Sequence, residues 1–397
     1  MKRENIPQIE WQFSERAQQL KSSIIREILK VTQRPEVISF AGGLPSPNTF
    51  PVERMRAGFD KILSTSGTTA LQYGPTDGYP PLREFIANSL SKNGATILPE
   101  QVLMVSGSQQ GLDLIGKVLL DEGSKAIVET PSYLGALQAF SVYQPKFESV
   151  AMDEHGLRPA DVAAKGKDAR LLYCLPNFQN PTGLTLSEDR RAELVDVCAA
   201  LRIPLLEDDP YGALCYRGEP LPTMLSMNPD GVIYMGSFSK VLTPGVRLGY
   251  VVAPVPLARK LEQAKQAADL HTAQLTQMVV HEVIKDGFLS EHIPTIRTFY
   301  SGQCDIMLDA LRKFFPAGVT WTKPDGGMFI WVRLPKHIDT MALSNEALAQ
   351  NVAFVPGAPF YADNPETNTL RLSFVTVSRE RIYEGIEKLG KLIASKL

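Results

Sequence analysis

The sequence predicts an α/β protein in two parts: a large three-layer domain around a mostly parallel sheet, and a smaller α+β domain. Three observations carry this. Six short runs, "QVLMVS" (101–106), "KAIVET" (125–130), "RLLYCLP" (170–176), "IPLLEDD" (203–209), "VIYMGS" (232–237) and "YVVAP" (250–254), are apolar nearly throughout, with helical patterns between most of them. Strands of that kind are buried on both faces, as in parallel sheets covered by helices. Beyond Gly287 the style changes to one long helix, a few strands and a closing helix, which suits a segregated α+β unit. Finally, 397 residues exceed what one small core organises.

In chain order, a helix is expected from about Ser14 to Thr32. Leu20, Ile24, Ile28 and Val31 recur at helical spacing as its buried stripe, with Ser22 and Arg26 off that stripe. "ISFAGGLPSPNTFP" follows, too rich in Gly and Pro for a regular element. Helical patterns such as Gln110 to Leu120 and Ser187 to Leu201 then separate the apolar runs. After Gly287 come a helix from Phe288 to Phe315, a strand-turn-strand in "VTWTKPDGGMFIWVRLP", the strands "VAFVPG" and "TLRLSF", and a last helix. The expected division is 1–45 as a helix and arm joining the small domain, 46–286 as the large domain and 287–397 as the small one.

A formal net charge of -2 gives no basic field for nucleic acid or an anionic membrane. No apolar stretch approaches the roughly 20 residues of a membrane helix. The start, "MKRENIPQIEWQ", lacks the apolar core of a secretory leader. Four cysteines with no C-x-x-C pair read as reduced thiols, so a cytoplasmic protein is expected. His281-Glu282 opens like a zinc helix, but the next histidine is His292, eleven residues on instead of four; no protein-held metal is expected.

In a sheet of this kind ligands bind beyond the carboxyl ends of the strands, so the residues closing each run are the informative ones. Ser106-Gly107-Ser108 joins a strand to a helix start, an arrangement that offers backbone amides to an anion. "GLDLIGKV" and "GIEKLGKL" look like nucleotide phosphate loops but lie inside helical patterns and lack the Ser/Thr that holds magnesium. "TPSY" ends in Tyr133, either a core tyrosine or a plate for a planar ring. "LPNFQNPTG" (175–183) is a rigid turn presenting Asn180. "LLEDDPYG" brings Asp208 and Tyr211 within three residues; three acids in a row after a buried strand each need water or a partner. "MGSFSKVLTPGVRLGY" (235–250) supplies Lys240 and Arg247 among Ser237 and Ser239. Phosphate cradle, ring plate, amide, carboxylate with phenol, and lysine with arginine together suit a planar, phosphorylated, aldehyde-bearing heterocycle: pyridoxal 5′-phosphate.

With "NPTG", "EDDPY", "SFSKVLTPGVRLGY" and "LRLSF" in that order, the chain resembles the fold-type I, class I/II aminotransferases over nearly its whole length. "SSIIREILKVTQRPEVISFAGGLPSPNTFP", "LQYGPTDGYPPLR" and "GSQQGLDLIGKV" bring it nearest the 2-aminoadipate and kynurenine aminotransferase group. The resemblance implies a ping-pong transfer of an amino group from an L-amino acid to 2-oxoglutarate. It implies Lys240 as the Schiff-base lysine and proton carrier, and Asp208 as the partner of the pyridine nitrogen. Tyr211 and Asn180 would meet the ring's phenolic oxygen, and Tyr133 would stack on the ring. Ser108, Gln109, Ser237, Ser239 and Arg247 would form the phosphate cup. Tyr73, by itself readable as a core aromatic, would reach the phosphate of a neighbouring subunit, so a homodimer with shared active sites is implied. Arg371 would clamp the substrate α-carboxylate, and Gly43 would let backbone pass close to substrate. Arg26 would meet the distal acid of a dicarboxylic substrate; a solvated helix arginine is the alternative. Two competing readings stay open: a lyase or synthase on the same fold, and a ligand-sensing regulator. Such regulators carry a DNA-binding domain ahead of this one, where only about forty residues stand here.

Overall fold

The computed structural model describes residues 9–18, 20 and 34–397. Its strands are β1 (Ile38–Ser39), β2 (Val102–Val105), β3 (Lys125–Thr130), β4 (Lys146–Asp153), β5 (Gly156–Leu157), β6 (Ala169–Cys174), β7 (Leu205–Asp208), β8 (Val232–Ser237), β9 (Gly249–Val252), β10 (Thr320–Trp321), β11 (Phe329–Arg333), β12 (Val352–Ala353), β13 (Val355–Pro356) and β14 (Thr369–Ser373). The large sheet runs β2-β9-β8-β7-β6-β3-β4-β5. From β8 to β4 every neighbour is parallel, while β9 lies antiparallel between β8 and β2, and β5 turns back on β4.

Both faces of this sheet are buried, which explains the unbroken apolar runs. Val102, Met104, Ile127, Leu172, Leu205 and Val232 face one core, with the helices Val52–Ala70, Pro80–Leu90, Glu188–Leu201 and Gln274–Ile284 over it. Leu103, Val105, Val128, Tyr173, Leu206 and Met235 face the other, beneath Ser108–Leu119, Leu134–Ser141 and Val255–Asp269. Successive strand residues point to opposite faces, so neighbours along each run fall into different cores.

The antiparallel sheet β10-β11-β14-β13 packs with the helices Phe288–Phe314 and Arg379–Ala394 around a third core. Ile296, Tyr300, Cys304, Met307 and Leu311 give the longer helix its inward stripe. The arm β1 pairs with β12, and Phe40 continues the pairing: its amide donates to Ala353 O and its carbonyl accepts from the Ser373 amide, each at 2.8 Å. The arm is thereby laid against the strand that carries Arg371.

The amino-terminal helix departs from expectation where it is described. Only Glu15–Gln18 is helical there, and Leu20, expected on a buried stripe, is 63 % exposed. That turn buries none of its own residues. Residues 21–33, Arg26 among them, lie outside the described residues.

Candidate active site

The residues that close β2, β3, β6, β7 and β8 converge at one edge of the large sheet, with β11 and β14 of the antiparallel sheet across from them. Lys240 follows β8 and is half-buried; its Nζ donates to the carbonyl of Gly43 on the arm at 2.9 Å. Burial first, then the charges of Arg371 and Arg247, lower its amine to about 8. A neutral amine is therefore within easy reach of physiological pH, as nucleophilic attack on a carbonyl requires.

Asp208 closes β7 and is buried. Tyr173, on neighbouring β6, donates its hydroxyl to Asp208 Oδ2 at 2.8 Å, while Oδ1 is buried with no protein partner. Burial pushes this carboxyl up to about 7 against the Tyr173 hydrogen bond, with Asp209 adding to the rise. The two flanking acids are satisfied elsewhere. Glu207 accepts from the amides of Met224 and Leu225 at 3.0 and 2.8 Å, and Asp209 accepts from Asn177 Nδ2, the Gly212 amide and the Tyr234 hydroxyl.

Arg371 stands on β14, 2 % exposed. Nη1 donates to Asn180 Oδ1 at 2.8 Å and Nη2 to the Ala41 carbonyl at 2.7 Å; Nε has no partner. Its guanidinium lies over Phe329 and Phe360, 4.3 and 5.3 Å from the ring centres. Burial lowers it to about 10, which leaves it a cation at neutral pH. Tyr211, buried after β7, shares a hydrogen bond with Asn180 and sets its ring edge-on to Phe329. Tyr133 starts the helix after β3; burial raises its hydroxyl, with the Asp208 charge adding and the Arg371 charge opposing.

The turn after β2 is a cradle. Gly107 caps the helix Ser108–Leu119 at φ +85, a left-handed conformation, and a Cβ there would stand 2.5 Å from Arg247 Nη2. At Gly249 a Cβ would stand 3.2 Å from the Ser108 amide nitrogen, so bare backbone lets β9 support the turn. Beneath it, fully buried Lys265 donates to Asp269 Oδ1 at 2.6 Å and to Gln110 Oε1 at 3.1 Å; that oxygen also accepts from the Ser106 amide. Helix-start amides and the Arg247 cation give this corner an anion's surroundings, and beside it Ser237 pairs with Gly249 across the strands, its hydroxyl accepting from the Ser239 amide at 3.1 Å. Gln109 extends towards Gly135, donating to its carbonyl at 3.0 Å.

Of the predicted site residues, Lys240, Asp208, Tyr211, Asn180, Tyr133, Arg371 and Gly43 are linked by these contacts and charges, and Ser108, Gln109, Ser237, Ser239 and Arg247 belong to the adjoining cradle. Tyr73 does not join them within one chain: it is 78 % exposed, with its ring edge against His271 at 5.6 Å, so it is no core aromatic. Tyr173, Phe329, Gln179 and Glu129 were not singled out from sequence; each sits in an apolar run or turn, and its part depends on cross-strand register. Among the described residues no cluster of His, Cys, Asp and Glu can hold a metal, and no helix is long and apolar enough to cross a membrane.

The site suits pyridoxal phosphate on its own chemistry: an orphaned buried carboxylate oxygen for a protonated ring nitrogen, a depressed lysine for an aldehyde, and a cradle for a phosphate. Residues 36–389 match the family described as aminotransferase class I and II. The 2-aminoadipate transaminase of Thermus thermophilus is 45 % identical over 97 % of each chain. The aromatic-amino-acid aminotransferase 1 of Thermococcus litoralis is 42 % identical over 97 % of this chain and 94 % of its own. The alpha-aminoadipate aminotransferase of Thermus thermophilus, solved with N-(5′-phosphopyridoxyl)-L-leucine, superposes with a TM-score of 0.90 at 44 % identity, covering 96 % of this chain and 97 % of that one.

Proposed function

Since the chain belongs to the class I and II aminotransferases and is a pyridoxal-phosphate-dependent transaminase, we propose how its own residues divide that work. The observation that carries the proposal is the convergence of Lys240, the orphaned Asp208 Oδ1 and the orphaned Arg371 Nε at one edge of the sheet. Bound pyridoxal phosphate supplies an aldehyde that takes the amino group and a ring that draws electron density from the substrate α-carbon. Asp208 holds the ring nitrogen's proton with Oδ1 while Tyr173 keeps Oδ2 in place. Asn180 and Tyr211 face the phenolic oxygen, Tyr133 stacks on the ring, and Ser108, Gln109, Ser237, Ser239 and Arg247 hold the phosphate. Arg371 binds the α-carboxylate and so orients the α-carbon. Lys240 Nζ takes the α-proton and returns it; a group titrating near 8 serves both directions. Gly43, where a Cβ would stand 3.3 Å from Phe329, lets the arm's backbone approach the substrate.

The amino acceptor is 2-oxoglutarate, and the donors include 2-aminoadipate, with Arg26 meeting the distal acid; aromatic and aliphatic donors are accepted too. The breadth is supported by the names of the 2-aminoadipate and aromatic relatives. The active unit is a homodimer in which the exposed Tyr73 reaches the partner's phosphate. Four free, buried cysteines fit a reducing, cytoplasmic setting. Borohydride reduction of the loaded protein should label the Lys240 peptide, and glutamate should yield 2-oxoglutarate with the amine form of the cofactor. Labelling of another peptide overturns the lysine assignment. A donor panel against 2-oxoglutarate, run with Arg26→Ala, should raise KM for 2-aminoadipate far more than for leucine. Equal losses for both remove Arg26 from recognition.

A further inference from the structure

One buried amide ties together the turns that frame the site. Gln179 Nε2 donates to Glu129 Oε2 at 3.0 Å and to the carbonyl of Pro131 at 2.8 Å. Its Oε1 accepts from the Thr182 amide at 3.1 Å and the Thr182 hydroxyl at 2.6 Å. Glu129 belongs to β3 and also accepts from the Leu175 amide, where the chain leaves β6. Pro131 stands two residues before Tyr133, and Gln179 immediately precedes Asn180. Gln179, Glu129 and Thr182 are 1, 3 and 3 % exposed, so water does not compete for these bonds.

The connection continues into the antiparallel sheet. The Thr182 carbonyl accepts from Thr322 Oγ1 at 2.7 Å, and that hydroxyl accepts from the Trp331 amide at 2.9 Å. Trp331 on β11 is the cross-strand partner of Arg371 on β14. Only an amide head supplies the two donors and the acceptor used here. A methionine supplies none, and a glutamate would set a second buried acid against Glu129, whose carboxyl burial already pushes up to about 8.

We propose that Gln179 is a positioning residue for transamination: it locks the Tyr133 turn, the Asn180 turn and, through Thr182 and Thr322, the Arg371 strand into one unit, so that cofactor ring and substrate carboxylate are aligned together. This rests on the assignment of Asn180 to the ring oxygen made above. In the holoenzyme, Gln179→Met lowers kcat/KM for glutamate roughly 10- to 100-fold, the scale of an ångström-level misplacement. It also moves the pH midpoint of the bound cofactor's visible absorption upward by about one unit, because a loosened Asn180 stabilises the deprotonated chromophore less. A merely structural contact would leave that midpoint where it was. Thr182→Val, which removes one donor to Gln179, shifts it the same way by less, and decides the matter should Gln179→Met fail to fold. An unmoved midpoint in the folded variant, beside a shift in Asn180→Ala, overturns the clasp and leaves the Asn180 assignment standing. An unmoved midpoint in Asn180→Ala as well overturns both.

Discussion

Asp208→Asn should stabilise the apo protein at neutral and alkaline pH and slow the loaded one. Without a cofactor, Asp208 carries its charge into a buried site with one hydroxyl partner, and its carboxyl is pushed up to about 7. The sign follows from linkage. Between the ordinary carboxylate value near 4 and the folded value, the unfolded chain has released a proton that the folded chain still holds, so stability falls as pH rises through this window. A displacement of about three units amounts to about 4 kcal/mol, fully expressed above pH 7 and absent below pH 4. The amide keeps the shape and an acceptor for Tyr173 but carries no charge. Apo Asp208→Asn should therefore melt at the parent's temperature near pH 4 and a few degrees above it at pH 8, as read by calorimetry of both proteins across pH. In the loaded enzyme the same change removes the counter-charge of a buried ring cation. Breaking such a pair costs about 3–5 kcal/mol, so the glutamate half-reaction should slow by about two to four orders of magnitude. If the apo variant gains nothing between pH 5 and pH 8, Asp208 is not an uncompensated buried carboxyl, and the reason for pairing it with the ring fails.

Arg371→Lys keeps the charge but loses the planar fork and the Asn180 and Ala41 contacts that set it. We expect kcat/KM for amino donors to fall roughly 30- to 100-fold, the worth of one charge-assisted hydrogen bond, with KM carrying most of it. Capture of pyridoxal phosphate by the apo protein should quicken with pH and level off above about 8, where Lys240 is neutral; stopped-flow absorbance that keeps rising beyond pH 10 contradicts this. Tyr73→Phe should weaken pyridoxal phosphate binding roughly tenfold by titration of the apo protein, for loss of one hydrogen bond to a charged group. It should leave the melting point of the apo protein alone, because the ring is kept and only its hydroxyl is removed. Unchanged affinity removes the phosphate contact across subunits.

The large sheet was legible because β2, β3, β6, β7 and β8 are buried on both faces and so read as unbroken apolar runs. β4 was not: "KFESVAMD" mixes exposed and buried positions next to the sheet's edge, and its charged residues hide the strand. Nor does composition betray that β9 runs against its neighbours. Asp208, Lys240 and Asn180 stand out in the sequence for a related reason, since they are polar groups placed where an apolar run stops. Tyr173 does not, because it lies inside such a run as one more buried aromatic; its task appears only when β6 pairs with β7 and brings its hydroxyl to Asp208. Phe329 and Glu129 were missed in the same way, and Gln179 was hidden in a turn whose asparagine drew attention first.

Of the three acids that end β7, Asp208 alone keeps an oxygen without a partner in the chain. Strand alternation sends Glu207 to the face where it caps the helix Met224–Met227, and Asp208 to the opposite face, that of Tyr173 and the helix Ser108–Leu119. Asp209, beyond the strand, is consumed by Asn177, Gly212 and Tyr234; Asn177 in turn accepts from the buried Arg191. A slip of one residue would aim a carboxylate whose acceptors are already engaged, and would leave the cap of the Met224 helix unmade. Glu207 and Asp209 therefore fix the register that presents Asp208, whose Oδ1 is the one carboxylate oxygen of the three acids left without a partner. Polar groups in a folded core are almost always paired. An unpaired buried carboxylate oxygen at the carboxyl edge of a parallel sheet is thus the acceptor that the protonated pyridine nitrogen of the proposed cofactor would use.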